Sequence, residues 1–277
     1  MTQAVSLPIG HAAPAVPPGH YRFQHVVKAE LAKITTLRST AITLGLAVVL
    51  ALLVSGLVAN AQLHHGPGFY QGFDPTQSSL AGMIVAALTS GVLGAMLITG
   101  EYSSGTIRTT LAASPRRPML LAAKIAVTTA VMVLFCELLS LASFFLGQAI
   151  LSGGGAPSAS LGTPGATRAV LMTGLFVALL ALMSFGFGLI VRSTAGAIAS
   201  FVGVVFVLPL VMRGISEPDV RYVPTQILTN SVMSTVHQPG QGGIIHDLSP
   251  AAGLLLMVLY AAVCVTAGVV LFMGRDA

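Results

Sequence analysis

Six apolar runs dominate this chain, at approximately 39–60, 80–99, 120–151, 169–191, 194–212 and 250–273. A helix that crosses a bilayer needs about 20 mostly apolar residues, because its backbone polar groups find no water in the hydrocarbon core and must pair within the segment. Each run meets that requirement. Of the 277 residues, 55% are apolar and only 8% are charged, against about 25% charged in an ordinary soluble domain. A soluble enzyme, a disordered chain and a secreted disulfide scaffold are thereby excluded. Cys136 and Cys264 lie deep inside apolar runs, so no disulfide framework is expected. The expected fold is all-α: a polytopic membrane protein with six transmembrane helices. Only Arg192 and Ser193 separate the fourth run from the fifth, which demands a tight antiparallel hairpin.

Basic residues orient the spans. Arg22, Lys28, Lys33 and Arg38 precede the first; Arg108, Arg116, Arg117 and Lys124 follow the second; Arg192 and Arg275 follow the fourth and sixth. Ten of the thirteen Lys and Arg residues thus fall on one side, and only Arg168, Arg213 and Arg221 on the other. Both termini are therefore expected to be cytoplasmic, with a long outer loop over about 213–249. The net charge of +5 marks a cytoplasmic face and gives no reason to expect nucleic acid. Ala59-Asn60-Ala61 imitates a signal-peptide cleavage site. The apolar run before it exceeds the 7–15 residues of a signal peptide, so it reads as an uncleaved span. Residues 1–19, with Pro8, Pro14, Pro17 and Pro18, read as a disordered cytoplasmic tail; residues 39–277 form the six-span domain.

Between them, 20–38 reads as an interfacial amphipathic helix. At about 100° per residue, Phe23, Val26, Val27, Leu31, Ile34 and Leu37 share an arc of about 140°. Its lysines suit an anionic lipid surface. Glu30 falls inside the apolar arc, where a carboxylate requires a cationic or hydrogen-bonding partner. Lys124, near the inner end of the third span, can snorkel toward water.

The connection at about 100–118, reading GEYSSGTIRTTLAASPRRP, is far longer than a plain turn of five residues or so. Ser103 or Ser104 can cap a short helix through about Ala112, Ser114-Pro115 would stop it, and Pro118 suits the first turn of the next span. A protruding docking element is the expectation.

Three stretches resemble one family. Ala29-Glu30-Leu31-Ala32-Lys33 with Thr36-Leu37-Arg38-Ser39-Thr40 is similar to the N-terminal signature of bacterial ABC transporter permeases of the type-2 export class. Residues 99–117 resemble that family's first cytoplasmic loop, and Leu248-Ser249-Pro250 with the terminal Gly274-Arg275-Asp276-Ala277 its C-terminal pattern. Tryptophan, frequent near the first span in such permeases, is absent here. The resemblance implies a permease that pairs with a second copy and docks its first cytoplasmic loop into a separate ABC ATPase subunit. Closure of the ATPase pair would then switch the spans between inward- and outward-facing states. It implies Glu101, Gly105, Thr106, Ile107, Arg108 and Leu111 as the ATPase-coupling loop, with Glu30, Lys33 and Arg38 on the bracing interfacial helix. The outer loop would form short helices dipping back toward the membrane. The cargo would be a small amphiphilic molecule, a drug or a peptide, exported across the bacterial cytoplasmic membrane.

This chain is not expected to hydrolyse ATP. A P-loop needs a Lys followed by Ser or Thr, whereas Lys28, Lys33 and Lys124 precede Ala29, Ile34 and Ile125. Leu151-Ser152-Gly153-Gly154-Gly155 superficially resembles an ABC ATPase signature but reads as a Gly-rich outer loop. No cofactor or metal is expected on this chain, since the histidines have no ligand spacing; ATP and Mg would belong to the partner ATPase. Two alternatives remain. A proton-coupled secondary carrier would use Glu137, the clear intramembrane acid, although a hydrogen bond to a neighbouring Ser, Thr or Gln would make that residue merely structural. A non-transporting membrane scaffold would suit the small-residue row Ala87, Gly91 and Ala95. Gly186, Gly188 and Pro209 are candidate kink positions.

Overall fold

The computed structural model describes residues 23–65, 73–105, 117–214, 217–232 and 248–274. In chain order it contains α1 (Phe23–Thr36), α2 (Arg38–Gln62), α3 (Pro75–Ser79), α4 (Met83–Ser103), α5 (Arg117–Gly153) and α6 (Ala166–Val191). There follow α7 (Thr194–Val202), a π-helical turn (Gly203–Val207), α8 (Leu208–Arg213), a 3-10 turn (Glu217–Tyr222), α9 (Pro224–Ser231) and α10 (Pro250–Gly274). No strand occurs among the described residues. Among the described residues, six segments are long and apolar enough to cross a membrane: α2, α4, α5, α6, α7 through α8, and α10. Their ends match the expected spans to within a few residues, with one consequential difference. Helix α4 continues past Thr99 to Ser103, so Gly100 and Glu101 lie on the span's last turn and not on a loop. The expected tail at 1–19 and the core of the outer loop at 233–247 lie outside the described residues.

Helix α6 is the hub. Within its apolar window 72% of residues are buried, against 17% for α2 and for α10, and it packs on α4, α5, α7 and α10. Lipid tails are as apolar as leucine, so spans associate through close packing of small residues and not by escaping water. Helix α2 shows this directly. Ala47, Ala51, Ser55 and Ala59, every fourth residue, are buried, while Leu46, Val49, Leu53 and Leu57 face outward. The Ser55 hydroxyl accepts the Gly82 N–H at 3.0 Å, tying α2 to the start of α4. In the expected row, Ala87, Gly91 and Ala95 are all buried. Gly91 admits the ring of Phe201, and a Cβ at neighbouring Gly94 would overlap the Ala181 carbonyl.

The expected kinks resolve differently. Gly186 and Gly188 lie within a continuous α6; the first admits the α10 backbone at Cys264 and the second the side chain of Ile98. Both are points of close approach. Pro209, in contrast, does perturb its helix. Proline has no N–H for the carbonyl four residues back, and its ring crowds that carbonyl. A π turn lies immediately before it, with Leu208 N–H bonding the Gly203 carbonyl, and the Val205 carbonyl, four residues back from the proline, accepts the Thr225 hydroxyl of α9.

The α6–α7 hairpin is as tight as the two-residue separation demands. Arg192 closes α6 in the left-handed conformation at φ 58, and the Ser193 hydroxyl caps α7 by accepting the Gly196 N–H. At the opposite end of the bundle, Asp74 caps α3 through Thr76 N–H at 2.8 Å. Gln148 gathers three chain segments there: its amide donates to the Pro75 carbonyl and the Ser79 hydroxyl and accepts from Ala159 N–H. Helix α9 inserts Ile227 and Leu228 into the core, with Ser231 and Thr173 hydroxyls 3.3 Å apart.

Candidate functional site

Helix α1 is two-faced. Val26 and Glu30 are buried, Val26 and Val27 pack on Met119, Leu120 and Ala123 of α5, and Lys33 follows on the same stripe. Phe23, Leu31 and Leu37, which share the apolar arc, are exposed. The arc is thus divided between α5 and the surroundings, and Glu30 sits on the half that meets protein. Leu37, in extended conformation, interrupts the helix for one residue before α2 begins.

What Glu30 meets is a four-membered ionic lattice. Lys124 of α5 donates to Glu30 Oε2 at 2.6 Å and to Glu101 Oε1 at 2.8 Å. Lys33 donates to Glu30 Oε1 at 2.7 Å and to Glu101 Oε1 at 3.0 Å. Three helices are joined by four side chains. The side chains of Glu30, Lys124 and Glu101 are 5%, 7% and 12% exposed, against 40% for Lys33, so the Lys124 pairs are the shielded ones. Burial works to raise the Glu30 carboxyl, but the Lys124 charge and hydrogen bond, with Lys33 behind them, prevail and hold it below its ordinary 4.5. Burial likewise works to lower Lys33, and its bonds to Glu30 and Glu101 carry it above 10.5. Glu101 lies in the last turn of α4, where the helix dipole disfavours a negative charge; the two ammonium groups compensate it. Its Oε2 is buried and finds no donor among the described residues.

Lys124 does not snorkel. It points into protein, and sequence reading missed it as a site residue. The available signal was its place inside the apolar run LLAAKIAV, where a buried ammonium requires carboxylates, and two acids lay near neighbouring span ends.

The same turn of α4 is gripped on its other side. Thr194 at the start of α7 donates to the Thr99 hydroxyl at 2.8 Å, and the Arg192 guanidinium lies 5.6 Å from the Tyr102 ring centroid. Then α4 ends. The Ser103 and Ser104 hydroxyls donate back to the Gly100 carbonyl in the last turn of α4. Gly105 follows at φ 70, a left-handed position that glycine adopts at least cost. Thr106, Ile107, Arg108 and Leu111, together with the short helix expected there, lie outside the described residues. Arg38 is exposed in the first turn of α2 and takes no part in the lattice.

Glu137 lies apart, midway along α5. Its carboxylate packs against Gly174 of α6, where any Cβ would collide with it. Oε2 is shielded and has no hydrogen-bond partner among the described residues. The Ser, Thr or Gln partner that would make it purely structural is not bonded to that oxygen. Nearby hydroxyls are committed elsewhere: Ser140 donates to the Val170 carbonyl at 2.8 Å.

The geometry makes α4's last turn a mechanical junction of α1, α5 and the α6–α7 hairpin. A family model described as ABC-2 family transporter protein matches residues 26–212, a stretch that contains the whole junction. Comparison with curated proteins finds no match.

Proposed function

The chain belongs to the ABC-2 transporter family, and on that premise we propose that it is the permease subunit of an exporter powered by ATP on a separate ABC ATPase subunit. It works as a homodimer or beside a similar permease, with both termini and the α1 end of the bundle in the cytoplasm of a bacterial cell and α1 lying in the inner membrane interface. The positive-inside bias of the sequence supports that orientation.

One observation carries the mechanism: the ionic lattice that joins α1, α4 and α5 immediately before the 106–116 connection. A force applied to that connection by a closing ATPase enters α4 at Glu101. Because Glu101 is bonded to Lys33 and Lys124, α1 and α5 move with it. The Thr194–Thr99 bond and the Arg192–Tyr102 contact pass the same displacement to the hairpin of the fourth and fifth spans. Glu101, Gly105, Thr106, Ile107, Arg108 and Leu111 form the coupling element, and Glu30, Lys33 and Arg38 its brace. The chain itself contributes no catalytic group; ATP and Mg are held by the partner. The exposed apolar faces of α2 and of α7 through α8 supply surface for lipid and for the second permease. The cargo is a small amphiphile, drug or peptide.

The test is the double substitution Glu101→Ala, Arg108→Ala. Membrane insertion should be unchanged, while ATPase docking weakens or hydrolysis becomes uncoupled from export. Wild-type export by this variant would remove the coupling assignment.

A proton-coupled carrier is the second reading, and the unbonded Oε2 of Glu137 favours it. Glu137→Gln preserves shape and removes the titratable proton. Under the exporter reading it leaves an ATP-dependent, gradient-independent transport in place; loss of all transport together with its pH dependence would favour the carrier.

A further inference from the structure

A cavity of about 580 Å³ adjoins the lattice, enclosed by α1, the start of α2, the second half of α4 and the start of α5. That volume lies within the range of small-molecule sites. Exposed Thr36, Leu37 and Ser39 mark its mouth at the break between α1 and α2, and buried Leu93 and Thr128 mark its closed end. From Glu101 to Leu93 the α4 wall runs about 12 Å at 1.5 Å per residue. Leu93, Met96, Leu97 and Val127 make the deep part apolar. The lattice beside it closes on itself: two Lys balance two Glu, and the remaining Glu101 oxygen, Oε2, is sealed. A charged ligand would give up its water there and find no uncompensated countercharge.

Two neutral groups stay open. Thr40 and Thr128 line the cavity and are only 5% and 1% exposed. Their helical neighbours Thr43 and Thr129 donate to the carbonyls four residues back, at 2.9 and 2.7 Å, the usual resort of a hydroxyl within a helix. Thr40 and Thr128 make no such bond, nor any other side-chain bond among the described residues. Unlike Glu101 Oε2, neither hydroxyl oxygen is sealed, so both are reachable from the cavity they line. A nearly buried hydroxyl without a partner favours any acceptor that reaches it. We propose that this cavity binds a neutral, drug-sized amphiphile that carries a hydroxyl or carbonyl oxygen. That oxygen accepts from Thr128 or Thr40, and the apolar part lies along Leu93, Met96 and Leu97.

This site does not rest on the exporter reading, because binding is read on the full chain without any ATPase. The probe is an eight-carbon alkanol with a diazirine on its chain, photolysed with the protein in phosphatidylcholine nanodiscs. Adducts are mapped by peptide mass spectrometry. The expected result is saturable labelling of the lining residues of α4 and α5, suppressed by excess octanol. At equal membrane mole fraction, octane, octyl sulfate and octyltrimethylammonium should compete less well by about fivefold or more, the worth of one neutral hydrogen bond. Thr40→Val combined with Thr128→Val should weaken labelling by about fivefold or more, and Ser at both positions should restore it. The valine pair should leave stability in an SDS titration unchanged or higher, because no partner is lost. Hydroxyls with a merely structural role would show a loss instead. Labelling confined to outward-facing residues such as Leu46 and Leu53, or octane competing as well as octanol, would overturn the proposal. Undiminished labelling in the valine pair, or a loss of its stability, would do so equally.

Discussion

Replacing Lys124 with Met tests the lattice where it is most shielded. The substitution keeps a long unbranched side chain and removes the ammonium that bonds Glu30 at 2.6 Å and Glu101 at 2.8 Å. Glu30, at 5% side-chain exposure, is left with Lys33 alone. Breaking a buried pair by deleting one partner costs about 3–5 kcal/mol, because the remaining charge is uncompensated; the surviving Lys33 bond places the expectation near the lower figure, about 3 kcal/mol. Lys33 itself is 40% exposed, so water replaces much of what it supplies, and Lys33→Met should cost about 1 kcal/mol or less. The ordering is the informative part. Adding Glu30→Gln to Lys124→Met removes the stranded carboxylate and should recover about 2 kcal/mol of the loss, a coupling that a double-mutant cycle isolates. Unfolding titrated with SDS in mild detergent micelles measures wild type, Lys33→Met, Lys124→Met, Glu30→Gln and the double variant. If Lys124→Met falls within about 0.5 kcal/mol of wild type, or the second substitution adds to its loss, the lattice does not hold α1 to the bundle.

The pKa shifts set a pH window. Glu30 is held below 4.5, so its contribution is present above 4.5 and lost as pH falls through the lowered value. Lys33 is held above 10.5, so its contribution is present below 10.5 and lost as pH rises through the raised value. The contribution of Glu30 and Lys33 to thermal stability in micelles should therefore be constant between those limits and fall outside them, and Glu30→Gln should flatten the acid side; an acid limb unchanged by that substitution would contradict the assignment. Thr225→Val removes the donor to the part-buried Val205 carbonyl in the π turn before Pro209, for an expected loss of about 1 kcal/mol in the same SDS titration. Gly94→Ala should be destabilising by about 1–3 kcal/mol through overpacking against Ala181, whereas Gly45→Ala, with nothing within 4 Å, should be neutral or stabilising by up to about 1 kcal/mol.

The spans were legible because bilayer thickness imposes a length that composition alone reveals, and the Arg192-Ser193 hairpin was legible because two residues leave no other connection. Glu30 stood out because a carboxylate on an apolar arc contradicts its surroundings. Its partners did not, since helical spacing within one segment says nothing about which distant residues face it. Lys124 was misread for that reason: the rule that end-of-span lysines reach toward water holds only when no carboxylate is closer. Glu101 was assigned to the connection because the apolar run stops at Thr99, yet α4 continues through Ser103, where Thr194 and Arg192 grip its last turn. Gly186 and Gly188 read as candidate kinks because glycine serves both bends and close approach, and only the position of Cys264 and Ile98 separates the two. Gln148, which binds three segments at the far end, carried no local signal at all.

The central claim is that a separate ATPase drives this bundle through the turn of α4 that bears Glu101. Purification of the protein from its native membranes, followed by identification of bound chains and transport assays under ATP depletion and under proton-gradient collapse, tests it most directly. The account predicts a stoichiometric ABC ATPase subunit and transport that stops when ATP is removed. Recovery of the permease alone, with transport that survives ATP depletion and collapses with the proton gradient, would contradict it.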